Sequence, residues 1–254
     1  KKGPDLYLVA AAAAYRVPVE SLNKNSPERQ PGKVMELAFG FQGGVGAWRK
    51  MESQAPGMPF FTDDEVNGFK DAWRAMHPRI ADKESGYWTI LENAALDAVL
   101  HPGTTVTAGP AGREAKFLVK GSFLWLKLPS GRNLCYPYPK VKPRETPWGE
   151  MKDQVHYMTV DSLTNKWVET HTYGGKLAEN ITQATARDIL SDAMLRLDKL
   201  EYEIVLHVHD EIVVEENEGS GMQIGVERAM KEAPAWAAGL PIAVEGWTGR
   251  RYRK

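Results

Sequence analysis

Arg29 and Lys33 stand four residues apart just behind Ser26-Pro27-Glu28, so on a helix two like charges share one face near its start. Such a pair repels by about 0.2–0.5 kcal/mol. It also opposes the positive end of the helix dipole, by about 0.3–1 kcal/mol. Both terms change sign when an anion sits there, and phosphate suits that position. Leu37 and Phe41 continue the four-residue step, each about 40° further round, so a ligand lying along the helix would meet charge first and an aromatic ring last. That order suits a nucleotide, with its triphosphate at the helix start and its sugar and base toward the glycine-broken end. The plainer alternatives are a solvated face for Arg29 and Lys33 and ordinary core for Leu37 and Phe41. Gly40, Gly43, Gly44 and Gly46 do not make a phosphate loop of the Gly-Lys-Ser/Thr kind.

A second constellation is His207-Val208-His209-Asp210-Glu211, set between two apolar stretches. Two adjacent carboxylates repel each other unless they are solvated or a divalent cation neutralises them, and Mg²⁺ usually takes one or two carboxylates together with substrate phosphates. Strand alternation places His207 and His209 on one face, so a His-x-His zinc site is an alternative. It lacks further ligands at diagnostic spacing, and the acids suit a harder metal. A solvated hairpin turn is the third possibility.

Lys176, Asn180, Gln183 and Arg187 follow one another at steps of four, three and four, inside a stripe of about 60° on a helix. Side chains of these types contact phosphates and groove acceptors. Between Arg113 and Arg144 eight cations (with Lys116, Lys120, Lys127, Arg132, Lys140 and Lys142) and one acid, Glu114, alternate with Phe117, Phe123, Trp125 and Tyr136. This pattern resembles a surface that tracks a nucleic-acid backbone. A solvated helix face and the basic outer side of a sheet are the respective alternatives.

The elements that must carry these residues are legible in outline. Asp5 caps a helix over residues 6–15, and Ser26 with Pro27 opens a helix running to Phe39 or Phe41. Thr62-Asp63-Asp64-Glu65 is a capping box before Val66, Phe69, Trp73 and Met76, and another helix covers 87–100. From 104 to 172 the pattern turns to strands, at 116–119, 123–128, 134–138, 154–160 and 166–172. After Gly174-Gly175 a helix of about 25 residues reaches Leu200. It is followed by a buried strand at 202–209, a hairpin tip at Asp210-Glu211, a strand at 212–215, a helix at 221–231 and a last strand at 242–246. The expected class is α+β, with regions 1–103, 104–172 and 173–254.

The chain has 254 residues, 43% hydrophobic and 26% charged, with net charge −1. These values exclude a disordered or collagen-like chain and give no bulk attraction to nucleic acid or anionic membranes. One cysteine, Cys135, excludes an internal disulfide framework. No apolar run is long enough to span a bilayer, so a soluble cytoplasmic chain is expected.

Ser26-Pro-Glu-Arg29-Gln-Pro-Gly-Lys33 continuing to Phe41-Gln-Gly-Gly resembles motif B of the family A DNA polymerases, bacteriophage and prophage branch. His209-Asp210-Glu211 resembles motif C of the same family, and Gly174 to Gln183 resembles the helix that precedes it. Glu245-Gly-Trp through Arg251-Tyr-Arg-Lys254 resembles the family's C-terminus. The similarity runs in order along essentially the whole chain. Bacterial repair members usually carry Phe where Leu37 stands and Tyr-Gly at Phe41-Gln42, and Glu179 replaces an Asn.

The resemblance implies a helical fingers region and a palm with an antiparallel sheet, partial in this chain. Motif A, which brings the other metal-binding aspartate, is expected just upstream of residue 1, and the thumb and exonuclease regions also lie outside. The implied reaction is template-directed transfer of dNTPs to a primer 3′-hydroxyl with two Mg²⁺ ions, in a monomer acting on primer-template DNA in the bacterial host cytoplasm. In the implied roles Asp210 and Glu211 bind metal, while Arg29 and Lys33 hold the triphosphate and act in catalysis. Leu37 lies beside the sugar and Phe41 beside the nascent pair. His209 and Gln183 touch the primer end, and Lys176, Asn180 and Arg187 contact DNA. On this basis residues 1–254 alone are expected not to extend a primer. A catalytically incomplete DNA-binding fragment is the first alternative, and a metal-dependent hydrolase using His207, His209 and Asp210 the second.

Overall fold

A computed structural model describes residues 3–55, 57–146 and 149–252. Arg253 and Lys254, which end the C-terminal stretch singled out above, lie outside the described residues. The protein is α+β, and its chain forms two compact units. The first takes in residues up to Gly109, with Phe117–Trp125 and Cys135–Glu179. The second takes in Pro110–Lys116, Leu126–Leu134 and the chain from Asn180 onward.

The first unit opens with α1 (Leu6–Tyr15), α2 (Arg29–Phe39), α3 (Val45–Glu52), α4 (Asp63–Met76), α5 (Pro78–Ala81) and α6 (Tyr87–Leu100). Asp5 caps α1 by accepting from the Tyr7 N–H at 3.0 Å. Ala10, Ala11 and Ala12 are buried, and small side chains there let α2 come so close that a Cβ at Gly32 would fall on the Tyr7 carbonyl. Phe39 and Trp48 stack in the core at 5.8 Å, and Trp73 stacks on Trp88 at 5.9 Å.

The predicted start of α2 is corrected. Ser26 is no cap: its hydroxyl accepts from the Asn23 N–H in a preceding turn, and the helix begins at Arg29 without a side-chain cap. At α4 the capping box forms as read, with Thr62 Oγ1 accepting from the Glu65 N–H and Glu65 Oε2 accepting from the Thr62 N–H at 2.7 Å. Thr62→Ala is therefore expected to destabilise the chain by about 1 kcal/mol, read as a lower denaturant midpoint. An unchanged midpoint would mean that this end of α4 does not depend on its cap.

Strands β1 (Val106–Ala108), β2 (Ala115–Lys120), β3 (Phe123–Lys127) and β4 (Asn133–Pro137) follow one another in a four-stranded sheet. In the first unit β5 (Lys140–Glu145), β6 (Met151–Val160) and β7 (Trp167–Thr172) form an antiparallel sheet in chain order. Its register sets His156 opposite His171 and Lys140. Strands β1 and β5 are not foreseen: β1 has only three residues, and Pro143 interrupts the strand pattern of β5.

The single helix α7 (Gly174–Lys199) has 26 residues. In the second unit it is followed by a two-stranded antiparallel sheet of β8 (Glu203–Val208) and β9 (Glu211–Glu215), then α8 (Gln223–Lys231). Arg196 donates to the carbonyls of Ala229 and Glu232, placing a cation at the C-terminal end of α8. The strand predicted at 242–246 does not form. Gly246 is bonded instead to side chains of α8, its carbonyl accepting from Gln223 and its N–H donating to Glu227.

Two further expectations change here. Residues 202–209 are not a buried strand: Val205 and Leu206 are about half exposed, because among the described residues β8 pairs with β9 alone and is irregular between Ile204 and Leu206. The hairpin tip is His209-Asp210 rather than Asp210-Glu211, since Val208 pairs with Glu211. His209 takes the positive φ of 51° that tight hairpin turns require.

Candidate nucleotide and metal site

On α2 the helical step holds for Arg29, Lys33 and Leu37 but not for Phe41, because the helix ends at Phe39, and the charges at its start are treated differently. Arg29 donates from Nε to Asp5 Oδ2 at 2.9 Å, has Nη2 at 2.9 Å from the same oxygen, and lies 5.0 Å over the Tyr7 ring. Desolvation works against the ionised Asp5. The Arg29 hydrogen bond, the Tyr7 N–H and the Arg29 charge outweigh it and hold the carboxyl below the usual range. The anion inferred for this helix start is thus met, for Arg29, by a carboxylate 24 residues earlier in the chain. Lys33, one turn on and half-buried, has no hydrogen bond or ion pair among the described residues. It is the cation of the pair left available to a ligand.

Leu37 is 44% exposed, which removes the core alternative for it. Phe41 is half-buried in the turn beyond α2. Glu36, which sequence reasoning passed over, lies within about 60° of Lys33 on the helix, and burial pushes its carboxyl up. Its three-residue offset from Lys33 was the available signal. Gln42, also passed over, sits at a φ of 67° and accepts from the Gly175 N–H at 2.8 Å.

In the second unit the two acids of the hairpin are separated in role by their surroundings. Asp210, in the turn, is exposed and has no hydrogen bond or ion pair among the described residues. Glu211 begins β9, and its Oε2 accepts from the Tyr252 hydroxyl at 2.6 Å, a bond that pushes the phenol up. Both acids offer the hard oxygen donors that suit Mg²⁺. His207 lies within β8, whereas the turn at His209 ends the alternation that would set both imidazoles on one face. Among the described residues no group of three or more His, Cys, Asp or Glu converges as a metal site.

Along α7, Lys176 pairs with Glu179 at 2.7 Å, an i,i+3 contact. Asn180 is also engaged, while Gln183 and Arg187 are exposed. The basic run from 113 to 144 is partly spent inside the protein. Arg113 donates to the Ala238 carbonyl, Arg132 pairs with Asp188 at 2.5 Å, Lys142 pairs with Glu169 at 2.6 Å, and Arg144 contacts His171. Phe117 and Tyr136 are core, leaving Phe123 and Trp125 as a half-exposed tilted pair. Four of the eight cations and two of the four aromatic rings of this run thus have contacts or burial within the protein.

Arg29, Lys33, Leu37, Phe41 and Lys176 belong to the first unit, and Asn180, Gln183, Arg187, His209, Asp210 and Glu211 to the second.

Over 256 residues the chain is 39% identical to the DNA polymerase of Bacillus phage SP02. That alignment covers 98% of the chain and 36% of the phage protein, so the chain spans little more than a third of the length of this curated relative. No family model matches the chain, and no solved structure matches it.

Proposed function

We propose that this chain supplies the nucleotide-binding helix and the motif C hairpin of a phage-type, family A DNA-directed DNA polymerase that joins dNTPs to a primer 3′-hydroxyl. The observation that carries this reading is the similarity to a phage DNA polymerase across 98% of the chain, which contains Arg29-x3-Lys33 and His209-Asp210-Glu211 in the order of motifs B and C. In this reading Lys33 holds the triphosphate and donates a proton toward the pyrophosphate, while the helix start adds backbone N–H groups. Arg29 joins it by sharing Asp5 or exchanging it for phosphate. Phe41 borders the nascent pair. His209 and Gln183 touch the primer end, Gln183 through minor-groove acceptors common to all base pairs, with Lys176, Asn180 and Arg187 along the DNA.

Asp210 and Glu211 would hold Mg²⁺, which when bound supplies Lewis-acid stabilisation of the transferring phosphate. Asp210, without a hydrogen bond or ion pair among the described residues, is the stronger candidate ligand; Glu211 shares its charge with Tyr252.

The exposure of Leu37 agrees with a place beside the nucleotide sugar, where a side chain without a hydroxyl offers no partner for a nucleotide lacking its 3′-hydroxyl. Leu37→Tyr in the full-length protein is expected to relax discrimination against dideoxynucleotides by about ten- to a hundredfold, the worth of one hydrogen bond to a charged group. The ratio of single-nucleotide incorporation rates for deoxy and dideoxy substrates measures this. An unchanged ratio with activity retained would place Leu37 away from the sugar.

Polymerase and DNA-binding fragment differ in what a nucleotide does to the complex. With a chain-terminated primer, the complementary dNTP is expected to slow dissociation of the full-length protein from primer-template, and the three others are not. Dissociation indifferent to every nucleotide would favour DNA binding alone.

A further inference from the structure

The turn that carries Phe41 is fastened to the first turn of α7 by a contact that none of the roles above uses. Gln42 holds a left-handed φ of 67°, a conformation that costs a residue with a Cβ about 1–2 kcal/mol, and it keeps it with a specific compensation. Its Oε1 accepts from the Gly175 N–H at 2.8 Å. That N–H belongs to the first turn of α7, where backbone donors have no partner within the helix. Gln42 thus caps a helix from another segment of the chain. The fit is close on both sides: a Cβ at Gly175 would fall on the Phe41 carbonyl and the Gln42 Cβ, and a Cβ at Gly174 would fall on the Trp88 carbonyl. All these residues belong to the first unit.

We infer that Gln42 is a positioning residue: by clasping Gly175 it fixes where Phe41 stands relative to α7, and so sets how strictly the incoming nucleotide is selected. The inference rests on the proposed nucleotide site along α2. Phe41 precedes the clasp by one residue and Lys176 follows it by one. The side bordering the nucleotide and the side proposed to contact DNA are therefore joined through one hydrogen bond and the close approach of Gly175. With the clasp open, the Phe41 backbone loses its stop against Gly175 and its ring gains freedom beside the nascent pair.

The test uses the full-length protein with Gln42→Ala, Gln42→Gly and Gln42→Glu. In Gln42→Ala the Gly175 amide is expected to exchange about two- to twelvefold faster, the worth of one neutral hydrogen bond. The KM for the complementary dNTP should rise about five- to tenfold, with kcat within about twofold. The preference for correct over incorrect nucleotide should fall by a similar factor. Gln42→Gly is expected to show the same kinetic changes while melting at or above the unsubstituted protein, because glycine takes a positive φ without strain. That separation distinguishes positioning from mere structural support. Gln42→Glu keeps an acceptor of the same length and should retain both amide protection and nucleotide KM.

Unchanged Gly175 exchange in Gln42→Ala would overturn the clasp. Wild-type KM and selectivity in both the alanine and glycine variants, or losses that simply track melting temperature, would overturn its role in selection. Absence of templated incorporation by the unsubstituted protein would defeat the nucleotide-site reading and this role with it. The exchange measurement would still report the contact itself, so the two failures are told apart.

Discussion

Asp210→Asn in the full-length protein is expected to lower turnover by about 10³-fold or more while primer-template affinity stays within about twofold. The side chain sits exposed in a two-residue turn, so its loss removes no internal contact among the described residues. What it removes is half the charge with which the hairpin would hold a divalent cation. Metal stabilisation of a transferring phosphoryl group is worth several kcal/mol, and each 1.4 kcal/mol or so is a factor of ten in rate. Glu211→Gln should cost less, since one carboxylate oxygen already accepts from Tyr252. Turnover and equilibrium DNA binding measured on the same preparations decide this. A loss below tenfold for Asp210→Asn, or a loss of DNA affinity that accounts for the whole effect, would remove Asp210 from the metal site.

Lys33→Ala is the second large effect. A hydrogen bond to a charged group is worth about 1.5–3 kcal/mol, and one that tightens as charge develops on the leaving pyrophosphate acts on binding and transfer together. The expected outcome is a fall in kcat/KM for dNTP of about 10- to 150-fold, shared between a higher KM and a lower kcat, with DNA affinity retained. Arg29→Ala should act in the same direction, but it also removes the ion-pair partner of Asp5, so its melting temperature should fall where that of Lys33→Ala does not. Pre-steady-state incorporation across a range of dNTP concentrations separates the terms. Lost primer-template affinity with nucleotide kinetics intact would mean that the ligand does not lie along α2 in the proposed direction.

How much of this was readable beforehand depended on how local the causes were. The cap at Asp5, the box at Thr62 and Glu65, and the helical spacing of Arg29, Lys33 and Leu37 are set within a few residues and form as their patterns put them, whereas Phe41 falls in the turn beyond α2. Contacts closed across many residues were invisible: Asp5 with Arg29, Gln42 with Gly175, and Tyr252 with Glu211 join segments whose types suggest nothing of the pairing. The strand expected at 242–246 failed for the same reason, because side chains of α8 take the Gly246 backbone. The apolar run at 203–208 read as buried on composition, yet burial requires neighbours, and β8 has one strand beside it. The tip differs by one residue because the sequence pattern puts the turn at the two acids between the apolar runs, whereas His209 is the residue that adopts the positive φ.

The central claim, that the chain serves template-directed DNA synthesis, is tested most directly by offering each dNTP singly to the full-length protein on four primer-templates that differ only in the next templating base. The account predicts extension by one nucleotide, with release of pyrophosphate, in the four complementary combinations, and rates lower by orders of magnitude in the twelve others. Stable primer-template binding with no incorporation in any combination, or incorporation indifferent to the templating base, would contradict it.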